Sequence, residues 1–315
     1  MSDDKYPLIS VIMNCFNGER YLREAIDSVY SQTYPNWEII FWDNASTDAS
    51  QEIACSYDER LRYFRGQETV PLGAARNMAL EQTRGEYIAF LDCDDLWLPQ
   101  KLEKQIPFFN NAKVGIVFCD TLCFNDKGEQ QRLYSRRKYY TGSCFSKMLA
   151  DYFLSIPSVV IRKKALLAQN EWFDLRFNMN EESDLFIRIS YSWNLAMVNE
   201  PLAKWRLHSD SLTSRRGAFF ADEFETMLAK YQTIFPGFNT MFAGEIRTLK
   251  TRIALIRARN SWEAGEPLAI RAYVTPYIFS SIRALAYYVI TFLPRYLANV
   301  VINRCSAISI SPAKE

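Results

Sequence analysis

The chain is short of residues on which several protein classes depend. Its only histidine is His208, which excludes catalysis by a zinc ion bound to several histidines. Its seven cysteines are odd in number and form no CxxC pair, so neither a disulfide framework nor a structural zinc site is expected. No GxGxxG sequence follows the first apolar run, as a dinucleotide-dependent dehydrogenase would need. With no signal-peptide pattern at the N-terminus, we expect a cytoplasmic protein.

Net charge of either sign is also nearly absent. Lys and Arg number 37 against 36 for Asp and Glu, and the resulting net charge of +1 argues against binding nucleic acid through bulk electrostatics. The balance is uneven along the chain, because after Glu245 ten basic residues face only three acidic ones. The 315 residues, 49% of them hydrophobic, are enough for one large domain or two smaller ones with a buried core.

Strand-like and helix-like segments alternate through the first hundred residues. Apolar runs typical of strands buried on both faces occur at Leu8–Asn14, Trp37–Trp42, Leu61–Phe64, Tyr87–Leu91 and Gly115–Cys119. Segments with helical spacing separate most of these runs. The alternation predicts an α/β fold with a mostly parallel, doubly wound sheet, in which ligands bind beyond the carboxyl ends of the strands.

The rest of the chain gives weaker patterns. We expect a helix from Pro99 through Phe109, which Pro107 could cut short, and a loop or lid over residues 125–143. A strand at Ala203–Leu207 is predicted at a sheet edge. From about Gly217 onward the pattern is helical throughout.

The strongest local motif is Leu91-Asp92-Cys93-Asp94-Asp95, directly after the strand-like YIAFL run. Three carboxylates this close repel one another, and a divalent cation such as Mg²⁺ or Mn²⁺ would make the arrangement favourable. The alternative is a solvated acidic turn whose aspartates cap a helix. The position of the aspartates at the end of a buried strand favours the metal-binding interpretation.

Three further motifs carry candidate chemistry. Arg76, in the sequence GAARN, could contact a phosphate, although a surface arginine on a helix is common. The run Asn180–Asp184 contains a candidate general base, or simply carboxylates that complement a helix dipole. His208, in the sequence WRLH, is either a structural residue or a contact to a metal or diphosphate.

In their order along the chain these motifs closely resemble the family 2 glycosyltransferases, which are inverting enzymes of the GT-A fold. The resemblance covers about residues 5–215. It is carried by Pro7–Asn17, Ser31–Tyr34, Asp43–Asp48, Gly73–Asn77, Gly85–Asp95, Glu181-Glu182 and Trp205–His208.

The resemblance implies nucleotide-sugar-binding roles for six positions. Asn14 and Phe16 match residues that hold the nucleotide base, and Asp43 matches an acid that contacts base or ribose. Asn44 stands where a second acid is common, which leaves the nucleotide open between UDP, dTDP and others. Asp92 matches a ribose-binding carboxylate. Arg76 would offset charge on the diphosphate.

The resemblance also implies a metal site and a catalytic base. Asp94 matches the carboxylate that binds the divalent metal, Mn²⁺ or Mg²⁺, and His208 matches a residue that touches metal or diphosphate in some members. Asp95 is expected to cap the following helix or to support the site. Glu182 matches the catalytic base, with Asp184 as the second choice.

The function that follows is metal-dependent, inverting transfer of a sugar from a nucleotide-sugar donor, with UDP expected, to a hydroxyl of a glycan acceptor. A lipid-linked acceptor in cell-surface glycan synthesis is expected. The alternative is a nucleotidyltransferase or a non-catalytic sugar-nucleotide-binding protein on a similar fold. Residues 1–216 would form the catalytic domain, with a nucleotide-sugar half to about 120 and an acceptor half over 121–216.

Residues 217–315 would form a separate helical region. Its apolar run Ala284–Leu293 is interrupted by Pro294-Arg295 before Tyr296–Ile302 continues it. Because a spanning helix needs about 20 apolar residues, we expect an interfacial helix at the inner face of the plasma membrane. The alternative is a helix packed on the catalytic domain or at the interface of a homo-oligomer.

Overall fold

The structure is a computed structural model that describes residues 6–128, 130–135, 137–208 and 219–293. The chain divides into two compact units. The first unit comprises Met1–Met148 and Tyr152–His208, and the second comprises Leu149–Asp151 and Ser209–Glu315. The boundary predicted at residue 216 falls outside the described residues.

A single mixed sheet runs through the first unit. Among the described residues its strands are β1 (Ile9–Cys15), β2 (Trp37–Asp43), β3 (Leu61–Arg65), β4 (Tyr87–Phe90), β5 (Leu96–Trp97), β6 (Val114–Phe124), β7 (Gln130–Arg132), β8 (Val160–Arg162) and β9 (Asn194–Arg206). The spatial order is β3-β2-β1-β4-β8-β6-β9-β5, with β7 paired to the end of β6. The predicted α/β fold is confirmed.

The first four strands form the parallel part of the sheet, as predicted. β1 lies between β2 and β4 and is parallel to both, and β3 extends the sheet beyond β2. Every residue of β1 is buried, which explains its unbroken apolar sequence. The carboxyl ends of β1, β2 and β4 therefore meet at one edge, where the polar motifs follow them.

The remaining strands add antiparallel pairs. β8 runs antiparallel to both β4 and β6, whereas β9 is parallel to β6 along most of its length. The predicted edge strand Ala203–Leu207 is wrong in extent and position, because β9 begins at Asn194 and the short β5 pairs with its outer side. Within the segment predicted as a loop or lid, Gln130–Arg132 forms β7, which pairs antiparallel with the end of β6.

Helices cover the sheet of the first unit. They are α1 (Glu19–Tyr30), α2 (Ser50–Cys55), α3 (Leu72–Glu81), α4 (Lys101–Gln105), α5 (Phe145–Ala150), α6 (Lys163–Leu167) and α7 (Glu181–Ser192). 3₁₀ turns occur at Ile106–Asn110, Leu133–Ser135 and Ile156–Ser158. α4 is shorter than predicted because Pro107 has no N–H for a helical hydrogen bond, and the chain continues as a 3₁₀ turn.

The second unit is helical in the residues described. It contains α8 (Phe220–Ile234), α9 (Phe238–Met241), α10 (Ala243–Ala264), α11 (Pro267–Val274), a 3₁₀ turn at Thr275–Tyr277, and α12 (Ile282–Ile290). One cluster of its buried side chains comprises Ala258, Ile270, Val274, Ala284, Tyr287 and Ile290. No helix within the described ranges has the length and apolar character needed to cross a bilayer. The predicted apolar run Tyr296–Ile302 lies outside those ranges.

Candidate active site

The acidic loop, Asp92–Asp95, follows β4 and lies next to the end of β9 at one corner of the first unit. Oδ2 of Asp94 lies 2.9 Å from Nε2 of His208, although the two residues are 114 positions apart. Both side chains keep some exposure, 30% for Asp94 and 13% for His208. The two residues predicted to bind metal are therefore neighbours, with a carboxylate oxygen and an imidazole nitrogen side by side on one partly exposed patch.

Arg206, the last residue of β9, forms hydrogen bonds with the acidic loop. Its Nε donates to the carbonyl of Asp94 at 2.9 Å, and its Nη2 forms an ion pair with Glu24 at 2.8 Å. Its own backbone N–H donates to Oδ1 of Asp95 at 2.8 Å. The Asp95 side chain is therefore hydrogen-bonded to β9 and does not cap α4, which begins only at Lys101. The sequence placed Arg206 inside the WRLH motif but gave it no role.

Arg76 connects the acidic loop to the start of α7. Its Nη2 lies 3.0 Å from Oδ1 of Asp92 and its Nη1 lies 2.7 Å from Oε1 of Glu181. The Arg76 side chain is only 3% exposed, so both pairs are shielded from solvent on the arginine side. Burial raises the pKa of Asp92, the charge of Arg76 opposes that rise, and the charge of Asp94 adds to it. In this structure both terminal nitrogens of Arg76 contact carboxylates.

Glu182 occupies the first turn of α7, next to the residue that Arg76 binds. Carboxylates are favoured there because the N-terminus of a helix carries a partial positive charge. Burial nevertheless raises the pKa of Glu182 to about 8, with Arg76 opposing the rise and Glu181 adding to it. The hydroxyl of Tyr152 donates to Oε1 of Glu182 at 3.3 Å. A carboxyl whose pKa lies near neutral pH is suited to accept a proton from a hydroxyl.

Asp184, the second candidate base, has a different environment. It is fully buried, and its Oδ2 accepts a hydrogen bond from Nε of Arg188 at 2.9 Å, one turn further along α7. The structure places this carboxylate in a closed ion pair. We therefore prefer Glu182 as the base.

Asp184 also belongs to an acidic group with Glu171 and Asp174, whose oxygens lie within 4.8 Å of one another. Arg188 binds Asp184, and Arg176 binds Asp174 at 2.6 Å. These arginines offset the negative charge locally, so ion pairing accounts for the cluster.

Asp43 ends β2 and organises the loop that follows. Its Oδ1 accepts the backbone N–H of Ser46 at 2.7 Å. Its Oδ2 accepts hydrogen bonds from the Tyr63 hydroxyl at 2.6 Å and from Arg65 at 2.7 Å. Burial and the neighbouring Asp43 carboxylate raise the pKa of Tyr63 to about 12. The carboxylate predicted to touch the nucleotide is thus fully buried and engaged with the protein.

Asn44 and Asn14 differ in how their amides are satisfied. Nδ2 of Asn44 donates to the carbonyl of Val70 at 2.8 Å, and Oδ1 accepts the Val70 N–H at 3.1 Å, so this side chain fixes the loop before α3. Asn14, near the end of β1, is 8% exposed, and neither of its amide atoms has a hydrogen-bond partner in the described part of the chain. A buried amide without a partner is costly, so these two atoms are able to accept and donate hydrogen bonds to a polar group of a ligand. Phe16, two residues on, is 52% exposed.

Comparisons with known proteins show the family and the fold. The profile of the family described as "Glycosyl transferase family 2" matches residues 10–167. The Bacillus subtilis protein named as a teichuronic acid biosynthesis glycosyltransferase, TuaG, is 43% identical over 214 residues, which cover 67% of this chain and 83% of that protein. An uncharacterized glycosyltransferase of Rickettsia typhi is 29% identical over 281 residues, 84% of each chain.

Solved structures share the fold. S. aureus TarS, crystallised with UDP-GlcNAc, superposes with a TM-score of 0.65 at 20% identity, covering 95% of this chain and 88% of that one. The mannosyltransferase PcManGT from Pyrobaculum calidifontis, in complex with GDP-Man and Mn²⁺, gives a TM-score of 0.63 at 17% identity, covering 96% and 87%. From the family profile, the sequence relatives and this shared fold, the chain belongs to glycosyltransferase family 2 and is a transferase with a GT-A-type catalytic fold.

Proposed function

We propose that the protein transfers a sugar, with inversion at the anomeric carbon, from a UDP-sugar to a hydroxyl of a glycan acceptor. The observation that carries the proposal is the ion-pair bridge through Arg76. It ties Asp92 of the acidic loop to Glu181, the neighbour of the candidate base Glu182. A donor-binding corner and a proton acceptor would thereby be linked by one ion-pair network, which is buried at Arg76 and Glu181 and partly exposed at Asp92.

The donor set at the corner fits a divalent cation. Asp94 offers a hard carboxylate oxygen of the kind that suits Mn²⁺ and Mg²⁺, and His208 places an imidazole nitrogen, a softer second ligand, 2.9 Å from it. A bound cation would offset the charge that develops on the leaving diphosphate. We assign the metal to Asp94 and His208, with Asp92 directed to the donor ribose and Arg76 setting the position of Asp92.

The acceptor side of the proposal rests on Glu182. A hydroxyl is a weak nucleophile near neutral pH, and a carboxylate that removes its proton contributes about 10²–10⁴-fold to the rate. Attack on the face opposite the diphosphate inverts the anomeric carbon and needs no covalent intermediate. Asn14 and Phe16 would meet the nucleotide base, and Asp43 and Asn44 would shape that end of the site by holding its loops.

For the acceptor, we propose a lipid-linked glycan chain of the cell surface. Similarity to a protein named for teichuronic acid biosynthesis supports a polysaccharide acceptor. A lipid-linked acceptor would bring the enzyme to the cytoplasmic side of a membrane.

A panel of UDP-, dTDP- and GDP-sugars with Mn²⁺ or Mg²⁺ tests the proposal. Nucleotide release and a donor-dependent rise in the unfolding midpoint are measured together, and proton NMR of the product reads its anomeric configuration. We expect metal-dependent release with a UDP-sugar, loss of that release in Asp94→Ala, and little change in Asp58→Ala, an exposed aspartate outside the site. Metal-independent turnover in the Asp94→Ala protein would contradict the metal assignment.

A further inference from the structure

Helix α12 is apolar on two faces, only one of which is buried. Ala284, Tyr287 and Ile290 pack into the core of the second unit. On the other side of the helix Ile282 is 80% exposed and Val289 47%, and Leu285 between them is also exposed. A helix that is hydrophobic all round is normally covered on every side. The open face of α12 therefore lacks a covering surface within the described residues.

Exposed apolar side chains also occur directly before and after the helix. Phe279, three residues before α12, is 100% exposed, and Phe292, just after it, is 61% exposed. We call these five side chains the apolar stripe: Phe279, Ile282, Leu285, Val289 and Phe292. Contiguous exposed apolar surface of this kind marks an interaction site.

Charge identifies what covers the stripe. Arg283 follows Ile282 at one end, and at the other the guanidinium of Arg271 lies 3.9 Å from the ring centroid of Phe292. Between Pro267 and Lys314 the sequence contains no acidic residue at all. A second copy docked through this same segment would bring arginines against arginines, and the segment itself has no carboxylate to offset them, whereas an anionic surface would attract them.

The shape of the exposed surface also favours a lipid phase as its partner. A fully exposed phenylalanine such as Phe279 protrudes from the turn before α12, and a fluid lipid phase accepts a protruding ring without needing a matching cavity. The helix has nine residues, about 14 Å of length, and so can lie in a membrane interface but cannot span it.

We propose that the apolar stripe, flanked by Arg271 and Arg283, docks the second unit onto an anionic phospholipid surface. Its apolar side chains would enter the headgroup–acyl boundary while the arginines contact lipid phosphates. The inference deepens the proposed function, on which it rests for the lipid-linked acceptor, by naming the surface on which the enzyme would meet it.

Vesicle co-sedimentation of the full chain tests the proposal. Vesicles of phosphatidylcholine alone are compared with vesicles that also contain phosphatidylglycerol, at low and high salt, without donor, metal or acceptor. We expect binding to the anionic vesicles only, weakened by salt. Phe279→Glu/Ile282→Glu should weaken binding at least about a hundredfold, because burying each side chain contributes roughly tenfold or more. Arg283→Gln should weaken it about fivefold.

Leu167→Glu/Leu175→Glu is the matched control. Both leucines are 58% exposed and lie in the first unit, and the variant adds the same charge. We expect it to bind anionic vesicles with an affinity reduced far less than that of the stripe variant.

Each contrary outcome overturns the docking proposal. No binding by the wild type, or equal binding to both vesicle types, excludes an anionic surface. A wild-type dimer in light scattering that Phe279→Glu/Ile282→Glu converts to monomer identifies a second copy as the occupant. A large fall in the unfolding midpoint of that variant would mean that another part of the same chain covers the stripe. Sugar transfer is measured separately on a soluble acceptor, so failure of docking and failure of the proposed function are distinguishable.

Discussion

Replacing Arg76 by methionine should be among the most destabilising single changes in the first unit. The substitution keeps much of the apolar stem but removes the charge between Asp92 and Glu181. The Arg76 and Glu181 side chains are 3% and 5% exposed, so Glu181 would stay buried after losing its ion pair with Arg76. Breaking a buried pair in this way costs about 3–5 kcal/mol of unfolding free energy.

The measurement is urea unfolding followed by tryptophan fluorescence. Every tryptophan except Trp262 belongs to the first unit, so the signal reports mainly on that unit. Arg76→Met/Glu181→Gln should recover more than half of the loss, because the buried charge is removed together with its partner. Arg20→Met is the control. It breaks an ion pair with Asp126 that is 62% exposed on the arginine side, and should cost about 0–1 kcal/mol.

Two results would refute this account of Arg76. One is a loss below about 1 kcal/mol for Arg76→Met, which would mean that the pair is hydrated or dispensable. The other is a double variant no more stable than the single variant, which would mean that the cost comes from packing and not from an unpaired carboxylate.

Three further predictions concern the site. Because burial raises the pKa of Glu182 to about 8, its carboxyl is largely protonated at pH 7. The value of kcat/KM should therefore rise with pH and level off above about pH 8. A pH profile of kcat/KM that already levels off near pH 4–5 would contradict this. Removing the hydroxyl in Tyr152→Phe takes away a hydrogen bond that favours the carboxylate, so the same rise in kcat/KM should move to higher pH with little change in its plateau, and an unmoved profile would show that Tyr152 does not act on Glu182. A Cβ at Gly18 would lie 2.7 Å from Sγ of Cys15 and 2.8 Å from Sγ of Cys93, which belongs to the acidic loop. Gly18→Ala should therefore lower the free energy of unfolding in urea by about 1–3 kcal/mol, and Gly18→Ala/Cys93→Ala should recover part of that loss. An unchanged unfolding midpoint in the single variant would show that the loop moves aside at no cost.

The sequence allowed the parallel strands and their polar ends to be predicted well. Apolar runs such as that of β1 are unambiguous because both faces of the strand are buried. Asp94 and His208 were expected at one metal site, and the structure brings them to 2.9 Å. Their roles in binding and catalysis stay predictions.

Strands β5 and β9, in the second half of the sheet, could not be predicted correctly, because their sequences lack the apolar periodicity that identifies a strand. β5 has two residues, too few for any periodicity. β9 carries Asn199, Glu200 and Pro201 within its length, and irregularities in its register against β6 interrupt the alternation.

Contacts of the site that depend on distant backbone were also missed. Arg206 acts through the carbonyl of Asp94, and the residue types alone do not indicate such a bond. Tyr152 lies 30 positions before Glu182 in a segment without a recognisable motif. Asp43, Asn44 and Arg76 were expected to face the donor, but the structure gives each of them protein partners that only the packed fold could reveal.

The most direct test of the central claim compares Glu182→Gln with the wild type in one preparation. The amide keeps the shape of the side chain but cannot accept the acceptor's proton. The account predicts that the UDP-sugar with Mn²⁺ raises the unfolding midpoint of both proteins equally, while sugar transfer by the variant falls about 10²–10⁴-fold. Near-normal transfer by Glu182→Gln would contradict the assignment of Glu182 as the base.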